Sequence, residues 1–460
     1  MILLLGSSLA LAASLDNLEM AGMWGSPAAT DGAAVWWNPA GLAMGEGTRI
    51  LIEGAPTFAV VDIQRADPHG GSDQVRMQGV VPFAGMATDL GVKGLGLGLG
   101  VGAPYLRGGE QTPEGGPVRY HLRQGQIMAA AIMAGGGYSY KDKVALGGGV
   151  QILRSSWQAK LDKELMPDLA DEIKALGEEP GYTDADLEDP AYATTLDFEP
   201  LSAWGLTASL GLRVQPDPKI GLAFAWISGA KLTHTGGVDL SFSCPPQSDL
   251  LGRFGAESRG LCDARMKGDA AITYALPSRI HGSVQLKPTE TLTVEAMGGL
   301  VFWGAHDLYE IEITGIAAAQ PELPEDTVEL IERPQTWARD NQASPWVALD
   351  VKGSIKERLL LGARVMHDRA AVPDEVLLAN NYDANDTVLS GLVAGRPARR
   401  IELGLSWSHH FLAERVVGDS AFSMAVEPEE RPDEAYNWPH GNGSYRGAID
   451  RVGLSARFAL

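Results

Sequence analysis

Apolar and polar residues alternate with period two throughout the second half of the chain. Val452, Leu454, Ala456, Phe458 and Leu460 alternate with Gly453, Ser455, Arg457 and Ala459. Ile401, Leu403, Leu405 and Trp407 alternate with Glu402, Gly404, Ser406 and Ser408. Trp204, Leu206, Ala208, Leu210 and Leu212 alternate with Gly205, Thr207, Ser209, Gly211 and Arg213. Successive side chains on a strand point to opposite faces, so each segment has one apolar face and one polar or small face. The pattern predicts about fourteen strands, near 48–64, 75–90, 93–105, 118–140, 143–157, 195–214, 219–239, 267–287, 291–313, 338–352, 356–368, 398–410, 415–427 and 443–459.

Alternation alone also suits a soluble sandwich; the connections decide between the two. Val92-Lys93, Lys141-Asp142-Lys143, Gln215-Pro216-Asp217-Pro218, Lys287-Pro288-Thr289-Glu290 and Ile355-Lys356-Glu357 are tight polar turns at every second connection. The intervening connections, about 106–117, 158–194, 240–266, 314–337, 369–397 and 428–442, are long. Short turns at one end and long loops at the other belong to an outer-membrane barrel, and an even strand count returns both chain ends to the periplasmic side. Closure leaves no backbone group unpaired against hydrocarbon, and strands of roughly 9 to 11 residues suffice to span it. The expected fold is therefore all-β, a transmembrane antiparallel barrel over residues 48–460.

Residues 14–47 do not alternate. Gly22, Gly25, Pro27, Gly32, Pro39, Gly41, Gly45 and Gly47 exclude a long helix or a regular strand. Met20, Met23, Trp24, Val35, Trp36, Trp37, Leu42 and Met44 nevertheless make the segment apolar for a loop. An apolar, irregular segment needs burial, and the barrel lumen offers it, so a plug (hatch) is expected there.

Composition sharpens this picture. A Gly count of 56 and a mean hydropathy of -0.05 fit neither a helical enzyme nor a bundle of membrane helices. Residues 1–13 form a short apolar stretch ending in Ala10-Leu11-Ala12, read as the remnant of an export signal. The net charge of -21 excludes a nucleic-acid partner, which needs clustered Lys and Arg. Acid concentrates at 161–190 and 426–434, as in solvated loops. Cys244 and Cys262, the two cysteines, flank one polar segment and suit a disulfide closing a loop in an oxidising compartment; two unrelated thiols are the alternative. No metal-ligand spacing, no Gly-x-Ser-x-Gly and no cofactor motif occurs; His409 and His410 sit at a strand end, where solvated histidines are common. Neither an enzyme nor a cofactor is expected, and nothing demands more than a monomer.

Asp31-Gly-Ala-Ala-Val-Trp-Trp-Asn38-Pro39-Ala40-Gly41-Leu42-Ala43 resembles the plug motif of the FadL family of outer-membrane fatty acid and hydrocarbon transporters. Gly98-Leu-Gly-Val-Gly-Ala-Pro104-Tyr105 is similar to that family's third strand and the loop after it. Ala371-Val-Pro373-Asp374-Glu375 resembles its Val-Pro-Asp segment, and the run from Gly443 to Phe458 its final strand. The matches keep the family's order nearly from end to end. The resemblance implies surface capture of a hydrophobic molecule, lumenal binding, and lateral release through a kinked third strand, with outer-membrane lipid and lipopolysaccharide as the surroundings.

Several residues could carry such a function. Leu165, Leu169, Ile173 and Leu176 lie at near-helical spacing among acids; the amphipathic helix forms a capture groove, as the resemblance implies, or folds down on its own loop. Val81, Phe83, Met128 and Ile132 belong to stretches apolar on both faces, which suits a lumenal pocket for a greasy ligand or packing against the plug. Gly96, Gly98, Gly100 and Gly102 give one face of the third strand no side chains. That face admits a close neighbour or a kink, which the resemblance makes the lateral opening and which packing against the plug explains equally. A ligand carboxylate would need a lumenal cation, and Arg154, Arg213 and Arg364 are placed for it if they face inward.

Overall fold

In the computed structural model the alternation becomes a barrel of fourteen antiparallel strands. The structure describes residues 18–66, 70–113, 115–164, 193–242, 265–318, 328, 332–422 and 441–460. The strands are β1 (Arg49–Arg65), β2 (Ser72–Thr88), β3 (Leu95–Gln111), β4 (Gln124–Tyr140), β5 (Val144–Glu164) and β6 (Ala193–Asp217). They continue with β7 (Ile220–Ile227, then Ala230–Phe242), β8 (Arg265–Leu276, then Arg279–Thr289), β9 (Leu292–Val301, then Leu308–Ala318) and β10 (Gln335–Ala338, then Ser344–Ile355). The last four are β11 (Leu359–Asp368), β12 (Asp386–Ala398), β13 (Ile401–Leu412, with Arg415–Val417) and β14 (Gly443–Ala459). β14 pairs back onto β1 from Arg49↔Ala459 to Arg65↔Gly443, which closes the wall.

The apolar face of each alternating segment points outward. Leu206, Leu210, Leu403, Leu405 and Leu454 are all more than half exposed, a pattern that would be a liability in water and is required against lipid. Exposed Tyr138 and Tyr140 flank the Lys141-Asp142 turn, while Trp407 and Phe411 stand toward the loop end of β13, as aromatic girdles do. Two of the tight turns place consecutive residues in the left-handed region, Lys141-Asp142 and Lys356-Glu357, the conformation that two-residue hairpins select.

One strand escaped the alternation. β12 occupies part of what reads as a long loop, because Val388, Leu392 and Ala394 face inward while Leu389 and Val393 face outward, so both faces are apolar. Conversely, of the strand expected at 415–427, only Arg415–Val417 forms among the described residues. The two changes offset each other, leaving the total at fourteen. The expected signal remnant at 1–13, the groove leucines and Ile173, and both cysteines lie outside the described residues.

The N-terminal segment, 18–47, folds as short helical turns at Gly22–Trp24, Ala34–Trp37 and Pro39–Met44. Met20, Met23, Trp24, Val35, Trp36, Trp37 and Leu42 are buried. They join one apolar cluster with inward-facing residues of many strands.

Candidate functional site

Asn38 organises the N-terminal segment. Its side-chain oxygen accepts from the Ala40 backbone N–H at 3.1 Å and so caps the turn that Pro39 begins. Its amide donates to the Pro27 carbonyl at 3.1 Å and, across to the wall, to the Leu212 carbonyl of β6 at 3.2 Å. Facing this turn the wall carries glycines for a steric reason. A Cβ on Gly147 would lie 2.4 Å from the Ala40 nitrogen, and one on Gly211 would lie 2.1 Å from the Asn38 side-chain oxygen.

Charged side chains from around the barrel hold the rest of the segment. Glu19 accepts from Ser390 at 3.3 Å and Ser408 at 3.2 Å, and lies 3.1 Å from both His410 and Arg451. Burial pushes the Glu19 carboxyl up, but Arg451 and the His410 hydrogen bond outweigh it and hold it well below the usual carboxylate range. Arg364, paired with Asp350, donates to the Gly22 and Gly25 carbonyls at 3.2 and 2.8 Å. Arg213 donates to the Ala28 carbonyl, and Glu295 accepts from Ser26 at 3.0 Å and the Ala28 N–H at 3.3 Å. His281 bonds the Trp37 carbonyl, Arg279 stacks on Trp36, and Arg457 pairs with Asp31 at 2.6 Å.

A second feature interrupts the wall. β2 and β3 pair from Thr88↔Leu97 up to Phe83↔Gly102 and then not again until Arg76↔Gln111. Residues 77–82 of β2 and 103–110 of β3 therefore face each other without a ladder. Pro82 and Pro104 lie within this stretch and lack N–H groups, which suits local sheet edges. On its other side β3 bulges against β4 between Gly102 and Tyr105, which reverses the side-chain facing beyond that point. Gly102 to Arg107 are all buried, so alternation stops there. Leu106, paired with Met128, is fully buried against inward-facing Val81 and Ala55 and against Ala103. In this stretch β3 lies behind the inner surface of β2 rather than beside it.

The third feature is a cleft at the loop end of the lumen, open to solvent at its mouth. One part is apolar, with Ile127, Trp157, Leu161, Tyr309 and Trp337; the other carries Arg107, Arg339 and amide and imidazole groups. Arg339 stacks on Tyr309 at 4.7 Å. The loop 369–385 packs across this end of the barrel. Its Val372, Val376, Leu377, Ala379 and Tyr382 are buried against Val61, Ile63, Val75 and Met77 of β1 and β2.

The expected residues divide among these features. Asn38, Pro39, Ala40 and Gly41 meet as the docked turn; a Cβ on Gly41 would strike the Ala29 carbonyl. Gly96, Gly98 and Gly100 do not lie at the wall's interruption. Gly98 and Gly100 are paired with both neighbours and Gly96 with β4, and Gly96 and Gly98 abut Leu42 while Gly100 abuts Val35, so they seat the N-terminal segment. Gly102 alone stands at the margin of the interruption. Val81 and Met128 come together around Leu106, and Phe83 packs beside Gly102. Ile132 does not face the lumen: it is 62% exposed on the outer surface. Arg154 also points outward, over exposed Trp204 at 5.1 Å. Arg213 and Arg364 do face inward, where Arg213 donates to the Ala28 carbonyl and Arg364 to the Gly22 and Gly25 carbonyls and to Asp350. His410 is buried in the Glu19 network rather than solvated.

Sequence reasoning missed Glu19, Glu295, His281, Arg279 and Arg457 as anchors, and Arg107 and Arg339 in the cavity. A signal existed for the strand residues: Glu295 and His281 are polar residues on the inward parity of strands whose outward parity is largely apolar.

An antiparallel barrel with an apolar outer belt and a lumen crossed by an anchored N-terminal segment defines an outer-membrane transport protein. Residues 8–377 match the family described as outer membrane protein transport protein (OMPP1/FadL/TodX), and the chain belongs to that family. The fold is similar to that of a Pseudomonas aeruginosa FadL homologue, with TM-score 0.75 and 13% identity over 98% of this chain and 100% of that one. It is also similar to the Pseudomonas putida toluene transporter TodX, with TM-score 0.60 and 12% identity over 99% and 98% of the two chains. The Ralstonia pickettii toluene transporter TbuX gives TM-score 0.58 and 14% identity over 96% and 99%. Among curated proteins no sequence matches.

Proposed function

We propose that the protein takes up hydrophobic small molecules, long-chain fatty acids or related lipophiles, and releases them sideways into the bilayer between β2 and β3. The observation that carries this reading is the missing ladder between residues 77–82 and 103–110. Unpaired backbone facing hydrocarbon costs several kcal/mol per group, so a wall without function there would be paired. Exposing apolar side chains such as Leu106 to lipid, by contrast, costs little, because lipid tails are as apolar as leucine.

On this reading residues 14–47 act as the plug. Anchored to strands around the lumen, they bar a straight path to the periplasm, and the gap beside β3 is the remaining exit. A lipophile captured at the loop end enters the cavity with its chain on Trp157, Tyr309 and Trp337. A carboxylate head needs a cationic partner once out of water, and Arg107 and Arg339 place cationic groups in the cavity lining, which a hydrocarbon would not require. The protein works as a monomer in the outer membrane, with plug and chain ends on the periplasmic side.

Binding of radiolabelled oleate and of radiolabelled toluene to purified protein tests the reading, in the full chain and with residues 14–47 deleted. Saturable oleate binding that outcompetes toluene is expected. Saturable toluene binding alone would move the substrate to aromatic hydrocarbons. No saturable binding of either would replace uptake by a surface or adhesion role.

A further inference from the structure

Arg154 faces outward from β5 at the outer border of the apolar belt. It is ten residues beyond Val144, where the strand leaves the Lys141-Asp142 turn. At about 3.3 Å per residue and a strand tilt of roughly 40°, that is about 25 Å along the barrel axis, the height of the apolar band of an outer-membrane barrel. Every outward position between the two, from Val144 to Ile152, is apolar or glycine. Arg154 pairs with Trp204 of β6 and Ala130 of β4. Ile152, Leu206 and Ile132 form the row below, all exposed, and Ser156 and Ser202 lie in the row above. An arginine at this height ordinarily extends upward into water. Arg154 instead lies across its own row, its guanidinium over the Trp204 indole at 5.1 Å, which holds the charge level with the lipid head groups. It makes no ion pair among the described residues. Cations higher on this side are matched: Lys160 with Asp197 at 2.9 Å, Lys231 with Glu310 at 3.1 Å and Lys267 with Asp239 at 3.0 Å.

We propose that Arg154 and Trp204 form a binding site on the outer wall for the phosphorylated glucosamine anchor of lipopolysaccharide. The guanidinium takes a phosphate group in a bidentate, charge-assisted pair, the geometry for which arginine is suited and lysine is not. Ser156 and Ser202 offer hydroxyls to the phosphate or sugar oxygens above it, and the acyl chains run down over Ile152, Leu206 and Ile132. The Trp204 indole, polar at one edge and apolar across its face, packs against a sugar ring at the membrane border. Charge complementarity selects the occupant. A chain of net charge -21 is a poor surface for an anion except where a cation stands unmatched, and this one stands at the height where the outer leaflet carries its phosphates. A phospholipid offers the arginine a phosphate but gives the indole no sugar to pack against. The site lies on the outer face of the wall and uses no residue of the uptake route.

The test titrates three purified lipids into the full-length protein in detergent and counts bound lipid by native mass spectrometry: diphosphoryl lipid A, the same lipid stripped of both phosphates, and phosphatidylglycerol. Diphosphoryl lipid A is expected to bind saturably and about tenfold or more tightly than its dephosphorylated form, the shift that one charge-assisted hydrogen bond produces, with phosphatidylglycerol between the two. Arg154→Gln is expected to weaken diphosphoryl lipid A by the same factor and to leave the dephosphorylated form unchanged. Trp204→Leu, which removes the stacking face, is expected to weaken both forms of lipid A. Arg446→Gln is the control: it removes an exposed arginine already paired with Glu414 at 2.8 Å and is expected to change nothing. A heat-modifiability gel checks that each barrel is folded. If Arg154→Gln does not fold, Arg154→Lys, which keeps the charge but loses the fork, is expected to bind diphosphoryl lipid A with intermediate affinity. Equal binding of diphosphoryl lipid A with and without Arg154 would overturn the site. So would equal binding of the phosphorylated and dephosphorylated forms, or phosphatidylglycerol binding as tightly as lipid A.

Discussion

Replacing Asn38 separates two roles that one side chain combines. Asn38 is fully buried and makes three hydrogen bonds, one as a cap acceptor and two as a donor to carbonyls. At roughly 1 kcal/mol net per bond, and with incomplete additivity, Asn38→Ala is expected to weaken docking of the N-terminal segment by about 2–3 kcal/mol. That corresponds to a roughly 30- to 150-fold shift toward the undocked state. Asn38→Asp is the sharper perturbation. Aspartate is as good a cap as asparagine, so a residue needed only to cap the Pro39 turn would tolerate the change. Here it would set a second oxygen against the Pro27 and Leu212 carbonyls, and docking is expected to suffer at least as much as in Asn38→Ala. Single-channel recording in planar bilayers reads the effect as the ratio of ion-conducting to blocked time. An Asn38→Asp channel as quiet as the unaltered protein would refute the claim that the donor bonds hold the segment to β6.

Other consequences follow from the same contacts. Gly147→Ala forces a Cβ against the Pro39–Ala40 backbone, and overpacking of about 1–3 kcal/mol is expected to appear as increased conductance with the barrel still folded on a heat-modifiability gel. Ile132→Arg places a charge on the lipid face and is expected to cost up to about 2–4 kcal/mol in a guanidinium folding titration, whereas a lumenal position would change little. Glu19 ionises in the docked state below its ordinary value near 4.5. Its contribution to docking is therefore fully present above that pH and is lost as pH falls toward the docked-state value; conductance measured between pH 7 and 3 is expected to rise only at the acidic end, and Glu19→Gln to flatten the profile.

Most of the barrel was legible because lipid imposes a simple rule, apolar outward, that survives in Leu403, Leu405 and Trp407 or in Leu206 and Leu210. β12 was illegible for the opposite reason: Val388 and Leu392 pack inside while Leu389 and Val393 meet lipid, and an all-apolar strand has no period. Facing was hard to assign wherever the inner surface is apolar too, and Ile132 fell to this ambiguity. The glycines of β3 could be seen to need a close neighbour, but only coordinates show that Leu42 and Val35 are that neighbour for the lower three. Pro82 and Pro104, two prolines in neighbouring strands, stand where the ladder stops, but the opening was expected at Gly96, Gly98, Gly100 and Gly102. Glu19 depends on pairing with Ser408, His410 and Arg451, hundreds of residues away, and no local pattern carries that.

Lateral release through the gap is the central claim, and locking the gap tests it most directly. Val81→Cys and Leu106→Cys, which belong to the same buried cluster, can be bridged in cells producing the protein by a short bis-methanethiosulfonate, which forms a disulfide with each thiol and releases two methanesulfinates. Uptake of radiolabelled oleate is then compared with and without the bridge, alongside oleate binding to the purified protein. Saturable uptake that the bridge abolishes while binding persists is the result expected. Uptake unchanged by the bridge would contradict the account.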